Sequence, residues 1–383
     1  MKKASEPLYK KIFSYYRDRI VSGEIGPGNR LPSENEISEI FKVSRITVSR
    51  ALSELELAKL IYRRKGSGSY VCDVDLTSTD DKFVSKDPSF ISLVLPTKGD
   101  FASDILRGVE EIASLNGFFV TFHNSAESPD LEKEIINDVI TRGSNGIIVY
   151  PLEPSGNMDV FSKLMISRYP FVLIDRNIPG LEAPLVWADN RKSFHTITKH
   201  LIDLGHTRIA FLGTSVFEVS SETERYKGFC AAHIDAGVPL LHRNLYGTKD
   251  DFKDIPDTFM PGKESDVRAA NFFFDTIGQM DVKERPTAIA AVNDQIASLL
   301  VSVAVERGIS IPGEYSITGF DDLPYASHLA VPLTTVAQPA MQIGKLAAIE
   351  LFARIKNRKL APSVKTVEPH LIIRESTARP SHT

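Results

Sequence analysis

The chain reads as an α/β protein: a two-lobed body of parallel sheets preceded by a small winged helix-turn-helix unit. Three observations predict this. Two adjoining amphipathic stretches, 33–41 and 44–55, are separated only by the Lys42-Val43 turn and are followed by a glycine-centred basic hairpin. From Phe90 onward short apolar runs alternate with amphipathic ones, the pattern of strands covered on both faces by helices. The charge is also divided, residues 1–72 holding 14 Lys and Arg against 8 Asp and Glu, the remainder 31 against 41. A basic head on an acidic body fits a polyanion-binding module joined to a larger part with a different task.

In the head, Leu8, Ile12, Tyr16 and Ile20 recur at near-helical spacing, so a first helix is expected over 7–22 with Gly23 as its stop. Ile25-Gly26-Pro27-Gly28 is a turn. Ser33 with Glu36 three residues on fits a capping box, starting a second helix that carries Ile37, Ile40 and Phe41 inward. Ser44 can accept from the free N–H groups of a third helix, whose Val48, Ala51, Leu52 and Leu55 form one apolar stripe. Ile46, Ser49, Arg50 and Ser53 then fall on the opposite face, with Arg45 and Thr47 beside the amino terminus. Two helices around a tight turn, the second presenting small, hydroxyl and Arg side chains outward, describe a helix-turn-helix.

Leu60 to Val71 reads as two short strands around Gly66-Ser67-Gly68, a wing whose Arg63, Arg64 and Lys65 can reach phosphates or the minor groove. The competing reading, a flexible linker or phosphate loop, is disfavoured because a strand resumes directly after it. Residues 73–89 are polar and aperiodic and read as a linker.

The body predicts strands at Phe90–Leu95, Phe118–His123, Gly146–Tyr150 and Phe171–Ile174, with helices at Phe101–Leu115, Leu131–Thr141 and Met158–Ile166 between them. The series repeats with helices Lys192–Leu204, Thr223–Ala236 and Asp294–Arg307 and strands Arg208–Leu212, Ala288–Val292 and Tyr315–Gly319. The polar stretch from Tyr246 to about Lys263 gives no clear element. In open α/β sheets ligands sit beyond the carboxyl ends of strands. Three such ends carry polar clusters: Asp175-Arg176-Asn177, Asn293-Asp294-Gln295 and Asp321-Asp322. Asp accepts two hydroxyls, Asn donates and accepts, and Arg offers a rigid fork, a set suited to the vicinal diols of a sugar. Each residue alone has a plainer reading, and Asn293 or Asp294 is expected to cap the helix that follows. Trp187, the single tryptophan, fits a sugar platform or the core equally well.

Several classes are excluded. No stretch resembles a secretory leader or is apolar enough to span a bilayer, so a cytoplasmic protein without membrane contact is expected. Cys72 and Cys230 are too few and too far apart in sequence for a disulfide framework. His195, His200 and His206 lack ligand spacing, and no metal or cofactor is expected. Nucleophile elbow, phosphate-binding loop and dinucleotide fingerprint are all missing, which argues against an enzyme.

The head resembles the GntR-type winged helix-turn-helix on Leu31-Pro32-Ser33-Glu34, Val43 to Leu52, Leu60-Ile61 and Gly66-x-Gly68. The resemblance implies a DNA-contacting set of Ser33, Asn35, Ser44, Arg45, Thr47, Ser49 and Arg50 with the wing residues Arg63, Arg64, Lys65 and Gly66. Asn35 and Ser49 depart from the family, which usually has Arg at both, so the operator is expected to differ from that of better-known members.

Residues 90–380 resemble the LacI/GalR effector domain, a periplasmic-binding-protein-like fold. The runs that carry this are Val172-Leu173-Ile174-Asp175-Arg176, Ala188-Asp189-Asn190, His200 to Ala210, Glu224 to Phe229, Val292-Asn293-Asp294, Gly319 to Asp322 and Pro332 to Pro339. The resemblance implies effector contacts by Arg225, Asn293 and Asp321, joined by Asp175 and by Phe101 in the loop after the first strand. That loop reads Lys98-Gly99-Asp100-Phe101, unlike the family, so ligand identity does not transfer. The arrangement is similar to arabinose-repressor (AraR-type) regulators.

The expected domains are therefore 1–72 (head), 73–89 (linker) and 90–383 (body). Lobe one should hold 90–187 and 340–366, lobe two 188–339 and 367–383. The expected function is a homodimeric repressor of carbohydrate genes that binds double-stranded operator DNA and releases it when a monosaccharide or derivative enters the interlobe cleft. Alternatives are a nucleobase acting as corepressor on the same scaffold, and a solute-binding protein without DNA function.

Overall fold

The structure, a computed structural model, describes residues 8–64, 67–72, 89–96, 99–152, 157–213, 219–246 and 264–381. The chain divides into two compact units, Met1–Asp87 and Pro88–Thr383. The expected contacts Lys65 and Gly66, almost all of the 73–89 linker, Lys98 and nearly all of the stretch after Tyr246 lie outside the described residues.

In the first unit α1 (Leu8–Val21), α2 (Glu34–Phe41) and α3 (Arg45–Leu57) pack with the hairpin β1 (Ile61–Arg64) and β2 (Gly68–Val71). Their common core is Ile12, Tyr16, Ile20, Leu31, Ile37, Val48, Ala51, Leu52, Leu55, Ile61 and Val71. The capping box forms as the spacing predicts: Ser33 N–H donates to Glu36 Oε2 at 2.7 Å and Glu36 N–H to Ser33 Oγ at 3.3 Å. Two expected core residues point outward instead, Leu8 at 54% exposure and Ile40 at 61%. Ile37 is the fully buried side chain of α2, with Phe41 half-buried beside it.

The second unit is built on two parallel sheets. The first has the strand order β13-β7-β6-β5-β3-β4, comprising β3 (Phe90–Leu95), β4 (Phe119–Asn124), β5 (Ile147–Val149), β6 (Phe171–Ile174), β7 (Leu185–Ala188) and β13 (Val364–Val367). Side chains alternate between its faces. Ile91, Leu93, Leu95 and Ile148 meet α4 (Asp100–Leu115) and α11 (Ala340–Lys356), whereas Val94, Ile147, Val149 and Leu173 meet α5 (Pro129–Thr141) and α6 (Met158–Ser167). The second sheet, β11-β10-β8-β9, comprises β8 (Ile209–Leu212), β9 (Leu245–Tyr246), β10 (Ala288–Ala291) and β11 (Ser316–Thr318). Its helices are α7 (Asn190–Asp203), α8 (Ser220–Ala236), α9 (Glu264–Gly278) and α10 (Asp294–Glu306), around one aromatic-rich core.

Between the lobes the chain crosses three times, and two of the crossing segments, β12 (Thr335–Ala337) and β14 (His370–Ile372), pair antiparallel. Ala188 and Val367 still belong to the six-stranded sheet, one residue beyond the expected lobe limits. Two close helix crossings brace the body. A Cβ on Gly108 of α4 would lie 2.1 Å from the Met341 carbonyl of α11, and one on Gly228 of α8 would lie 2.2 Å from the Arg191 carbonyl of α7. Both pairs therefore pack backbone against backbone.

Each sheet reverses its winding once. In the first, β4 flanks one side of β3 and β5 the other; in the second, β9 and β10 flank β8 in the same way. A crevice opens at the carboxyl ends of the strands at such a reversal. This puts Tyr150, Asp175, Asn293 and Asp321 at strand ends facing the interlobe space.

Candidate DNA interface and ligand cleft

On the first unit, Ser44 Oγ accepts from Thr47 N–H at 3.3 Å and caps α3, so the hydroxyls of both Ser33 and Ser44 are engaged in helix capping. Arg45, Ile46 and Arg50 stand exposed along the outer face, Thr47 and Ser49 are half-buried, and Asn35 is exposed on the first turn of α2. Ile46 is 82% exposed. A large apolar side chain held in water among Arg, Thr and Ser suits a thymine methyl in the major groove; helical spacing puts Ile46 outward, but nothing in the spacing alone marks it as a contact. Arg50 also packs its guanidinium 4.0 Å from the Tyr9 ring centre and 3.7 Å from Glu54, which pre-orders it on α3.

Arg63 departs from the expectation of a free phosphate contact. Its Nη2 donates to the Ser49 carbonyl at 3.1 Å, and Glu56 and Glu34 lie 3.5 and 3.9 Å from the guanidinium. It braces the wing against α3. Arg64 is exposed and lies over the stacked rings of Tyr62 and Tyr70, 5.5 and 5.7 Å from their centres.

In the body, Asp175, Arg225 and Asp321 converge, Asn293 follows the Val292 carbonyl that Arg225 binds, and Phe101 reaches the group only through Tyr150. Arg225 of α8 is 5% exposed. Its Nε donates to Asn190 Oδ1 at 2.9 Å, Nη1 donates to the Val292 carbonyl at 2.8 Å, and its guanidinium lies 3.8 Å over the Phe320 ring. Nη2 is left facing Asp321 Oδ1 at 3.8 Å. Asp321 adopts φ +125 and Asp175 φ +63, so both carboxylates sit on backbone that L side chains rarely adopt. Gln338 Nε2 donates to Asp321 Oδ1 at 2.6 Å. Burial pushes the Asp321 carboxyl up to about 7; Arg225 opposes this, and the neighbouring Asp294 and Asp175 add to it.

Asp294, fully buried behind this group, accepts from Leu323 N–H at 2.9 Å and from the Thr335 hydroxyl, tying the 321–323 loop to β12. Burial raises its carboxyl to about 6. Asn293 caps α10, its Oδ1 accepting from Ile296 N–H at 2.9 Å. From lobe one, Asp175 is 3% exposed and its Oδ1 has no hydrogen-bond partner among the described residues. Tyr150 lies beside Asp175, its hydroxyl driven upward chiefly by burial, and Arg176 stacks 5.0 Å over its ring. Phe101 meets Tyr150 edge-to-face at 6.3 Å. Asn177 N–H donates to Ser220 Oγ at 2.9 Å, joining the two lobes at the cleft.

Tyr150, Asn190 and Gln338 were not among the expected contacts. The position of Tyr150 at the carboxyl end of β5 was a usable signal; Asn190 and Gln338 enter only through folded proximity. The Trp187 ring packs with the core on the α5–α6 side of the sheet. Among the described residues no His, Cys, Asp and Glu group could hold a metal, and no helix is long and apolar enough to cross a membrane.

A winged helix-turn-helix unit joined to a two-lobed body with a polar interlobe cleft defines a ligand-responsive DNA-binding regulator. Residues 8–71 match the gntR family of bacterial regulatory proteins, and residues 198–377 match the periplasmic binding protein-like domain. The chain is 30% identical over 385 residues to an arabinose metabolism transcriptional repressor of Geobacillus stearothermophilus, covering 98% of this chain and 99% of that one. It is 29% identical to the repressor of the same description from Halalkalibacterium halodurans, covering 97% of each. A LacI family transcriptional regulator from Enterococcus faecium with bound ribose superposes with a TM-score of 0.61 at 25% identity, covering 76% of this chain and 99% of that one. The protein belongs to the family of arabinose-repressor-type transcriptional regulators, in which a GntR-type head is fused to a LacI-type effector domain.

Proposed function

We propose that the protein is a cytoplasmic, non-enzymatic homodimer that represses carbohydrate-utilisation genes and leaves its operator when a small monosaccharide, with arabinose the first candidate, enters the cleft. The observation that carries the reading is the convergence of Asp175 and Asp321 from opposite lobes on one space, with Arg225 behind them and aromatic rings at its edges. Carboxylates with an open acceptor position take sugar hydroxyls as donors, and the rings cover the apolar faces of the sugar. Contacts to both lobes favour the closed state, and the ligand shifts the balance only by its differential affinity for that state, typically about 1–3 kcal/mol per coupled site.

On the head, Asn35, Arg45, Ile46, Thr47, Ser49 and Arg50 form the major-groove face, and Arg64 and Lys65 track the phosphate backbone. Ser33 and Ser44 support the face by capping, as Arg63 does by bracing the wing, and Gly66, which the GntR resemblance adds to the contact set, goes with Arg64 and Lys65. Two heads in a dimer match two half-sites of a pseudo-palindrome.

The test is a thermal-shift panel of pentoses, hexoses, disaccharides, sugar phosphates and nucleobases on the whole protein, followed by operator release with any hit. A selective monosaccharide that raises the melting temperature and frees DNA supports the reading. A nucleobase that strengthens DNA binding refutes it.

A further inference from the structure

We propose that lobe one carries a second ligand site, for a small phosphorylated molecule, at the end of the sheet opposite the cleft. A cavity of about 320 Å³ opens there between the carboxyl ends of α6 and α11 and the amino ends of β6 and β7. The cleft lies beyond the other ends of the same strands. At about 3.3 Å per residue, β6 alone separates the two sites by roughly 13 Å.

The cavity has an apolar floor and a cationic rim. Leu164, Phe171 and Pro184 are buried at its base, and Arg168, Arg358 and Lys359 stand exposed around it. Among the described residues no carboxylate lines it. The three rim cations have no ion-pair partner among the described residues, unlike most of the basic side chains elsewhere in the body.

Arg354, which also lines the cavity, shows how a structural cation behaves here. It is buried, its guanidinium donates to Glu350 at 2.8 and 3.0 Å, and it donates further to the Leu360 and Ala361 carbonyls. Those bonds fix the 357–362 loop that presents Arg358 and Lys359. A helix carboxyl terminus favours nearby cations and accounts for Arg354 and Arg168. The effect fades beyond the last turn, so it bears less on Arg358 and Lys359 in the following loop, and it opposes an anion, which those two cations with Arg168 have to outweigh. Two Arg forks and one Lys around an apolar floor are a receptor for a phosphate dianion carried on a small organic body.

The experiment is isothermal titration of the full chain with pyrophosphate as probe, in the absence of sugar. Wild type is expected to show one saturable site per chain. The R358Q/K359Q variant should bind at least about tenfold more weakly, and K199Q/K227Q, which removes two exposed lysines of lobe two, should match wild type. All three should share one far-ultraviolet circular dichroism spectrum, since every substituted residue is at the surface. No saturable binding, or equal loss in both double variants, overturns the site. If D321N loses pyrophosphate while R358Q/K359Q keeps it, the anion sits in the cleft and the proposal fails. Displacement of pyrophosphate by a non-operator duplex, with the same dependence on Arg358 and Lys359, would assign the rim to backbone phosphates and overturn the small-molecule assignment.

Discussion

Arg225 Nε and Asn190 Oδ1 meet at 2.9 Å, so the helix that follows the first lobe crossing sets the aim of the cleft's buried guanidinium. With Nη1 held by the Val292 carbonyl and Phe320 beneath the plane, the fork has one orientation and turns Nη2 toward Asp321. Lys reaches only one of these partners and cannot reproduce the fork. Arg225→Lys should therefore lower effector affinity by at least about tenfold and cost about 1–3 kcal/mol of stability, from acceptors left unpaired in a buried site. Operator affinity without effector should stay within about twofold. Calorimetric titration with the effector and a fluorescence anisotropy assay on operator DNA read the two effects separately; equal loss of both would remove Arg225 from the effector site.

Asp321 makes the cleft sensitive to pH. Its carboxyl titrates near 7 when folded, against the ordinary carboxylate range when unfolded, because burial and the nearby Asp175 and Asp294 outweigh Arg225. The folded state thus holds this proton more tightly. The stabilisation it brings is complete below about pH 4 and is lost as pH rises through 7. Asp294, raised to about 6, acts in the same direction. His206 and His233, both lowered by burial, act in the opposite one, so only the difference between wild type and variant isolates Asp321. Asp321→Asn should melt closer to wild type at pH 5 and above it at pH 8. Sugar hydroxyls donate to the ionised carboxylate, so wild-type affinity should rise roughly tenfold between pH 6 and 8 and the variant's should stay flat. A flat wild-type profile would mean that Asp321 does not receive a ligand hydroxyl.

The head was legible because its signals are local. A capping box, a stripe at i, i+3, i+4 and i+7, and a glycine turn each involve residues within one or two turns of one another. The strand ends were legible for a similar reason, since an apolar run that stops at Asp or Asn marks its own boundary. What escaped depends on long-range packing. β7 is four residues long and follows Pro184, and α9 carries Phe272, Phe273 and Phe274 in succession, which blurs a helical period. Arg63 looked like a wing cation because nothing nearby in sequence shows that Ser49, Glu34 and Glu56 converge on it. Asn190 stands 35 residues before Arg225 and is joined to it only by the α7–α8 crossing.

That crossing tolerates no side chain at Gly228. A Cβ there would lie 2.2 Å from the Arg191 carbonyl and 2.9 Å from the His195 nitrogen, both backbone atoms that cannot turn aside. Gly228→Ala should force the helices apart at a cost of about 1–3 kcal/mol. Because Arg225 lies one turn before Gly228 on α8, and Asn190 opens α7, the same shift should weaken effector binding more than the stability loss alone explains. Thermal melts with and without saturating effector measure both. A variant that keeps wild-type stability would contradict the close packing of α7 on α8.

Ser44 separates a capping role from base readout. Its hydroxyl accepts from Thr47 N–H and meets the Thr47 hydroxyl at 2.9 Å, so its position on the interface side of α3 does not make it a reader of sequence. Ser44→Ala should cost about 1 kcal/mol of head stability, and should weaken operator and non-operator DNA by the same factor. Loss of discrimination between the two at unchanged stability would instead make it a base contact.

The two wing arginines should behave as different residues despite their adjacency. Arg64 is exposed and rests on Tyr62 and Tyr70, a stack that orders the side chain without neutralising it. If it meets a phosphate, Arg64→Gln removes one counterion-releasing contact, reducing the slope of log affinity against log salt by about one and leaving the melting temperature of the head unchanged. Arg63 is tied to the Ser49 carbonyl and two glutamates. Arg63→Gln should lower the melting temperature of the head, because the wing loses its brace on α3, and should leave the salt slope nearly at the wild-type value. Affinity titrations at several salt concentrations, paired with melts of the same samples, read both quantities. A reduced salt slope in the Arg63 variant at unchanged stability would return Arg63 to the phosphate-contacting set and reassign its contacts to Ser49, Glu34 and Glu56 as a resting position abandoned on DNA.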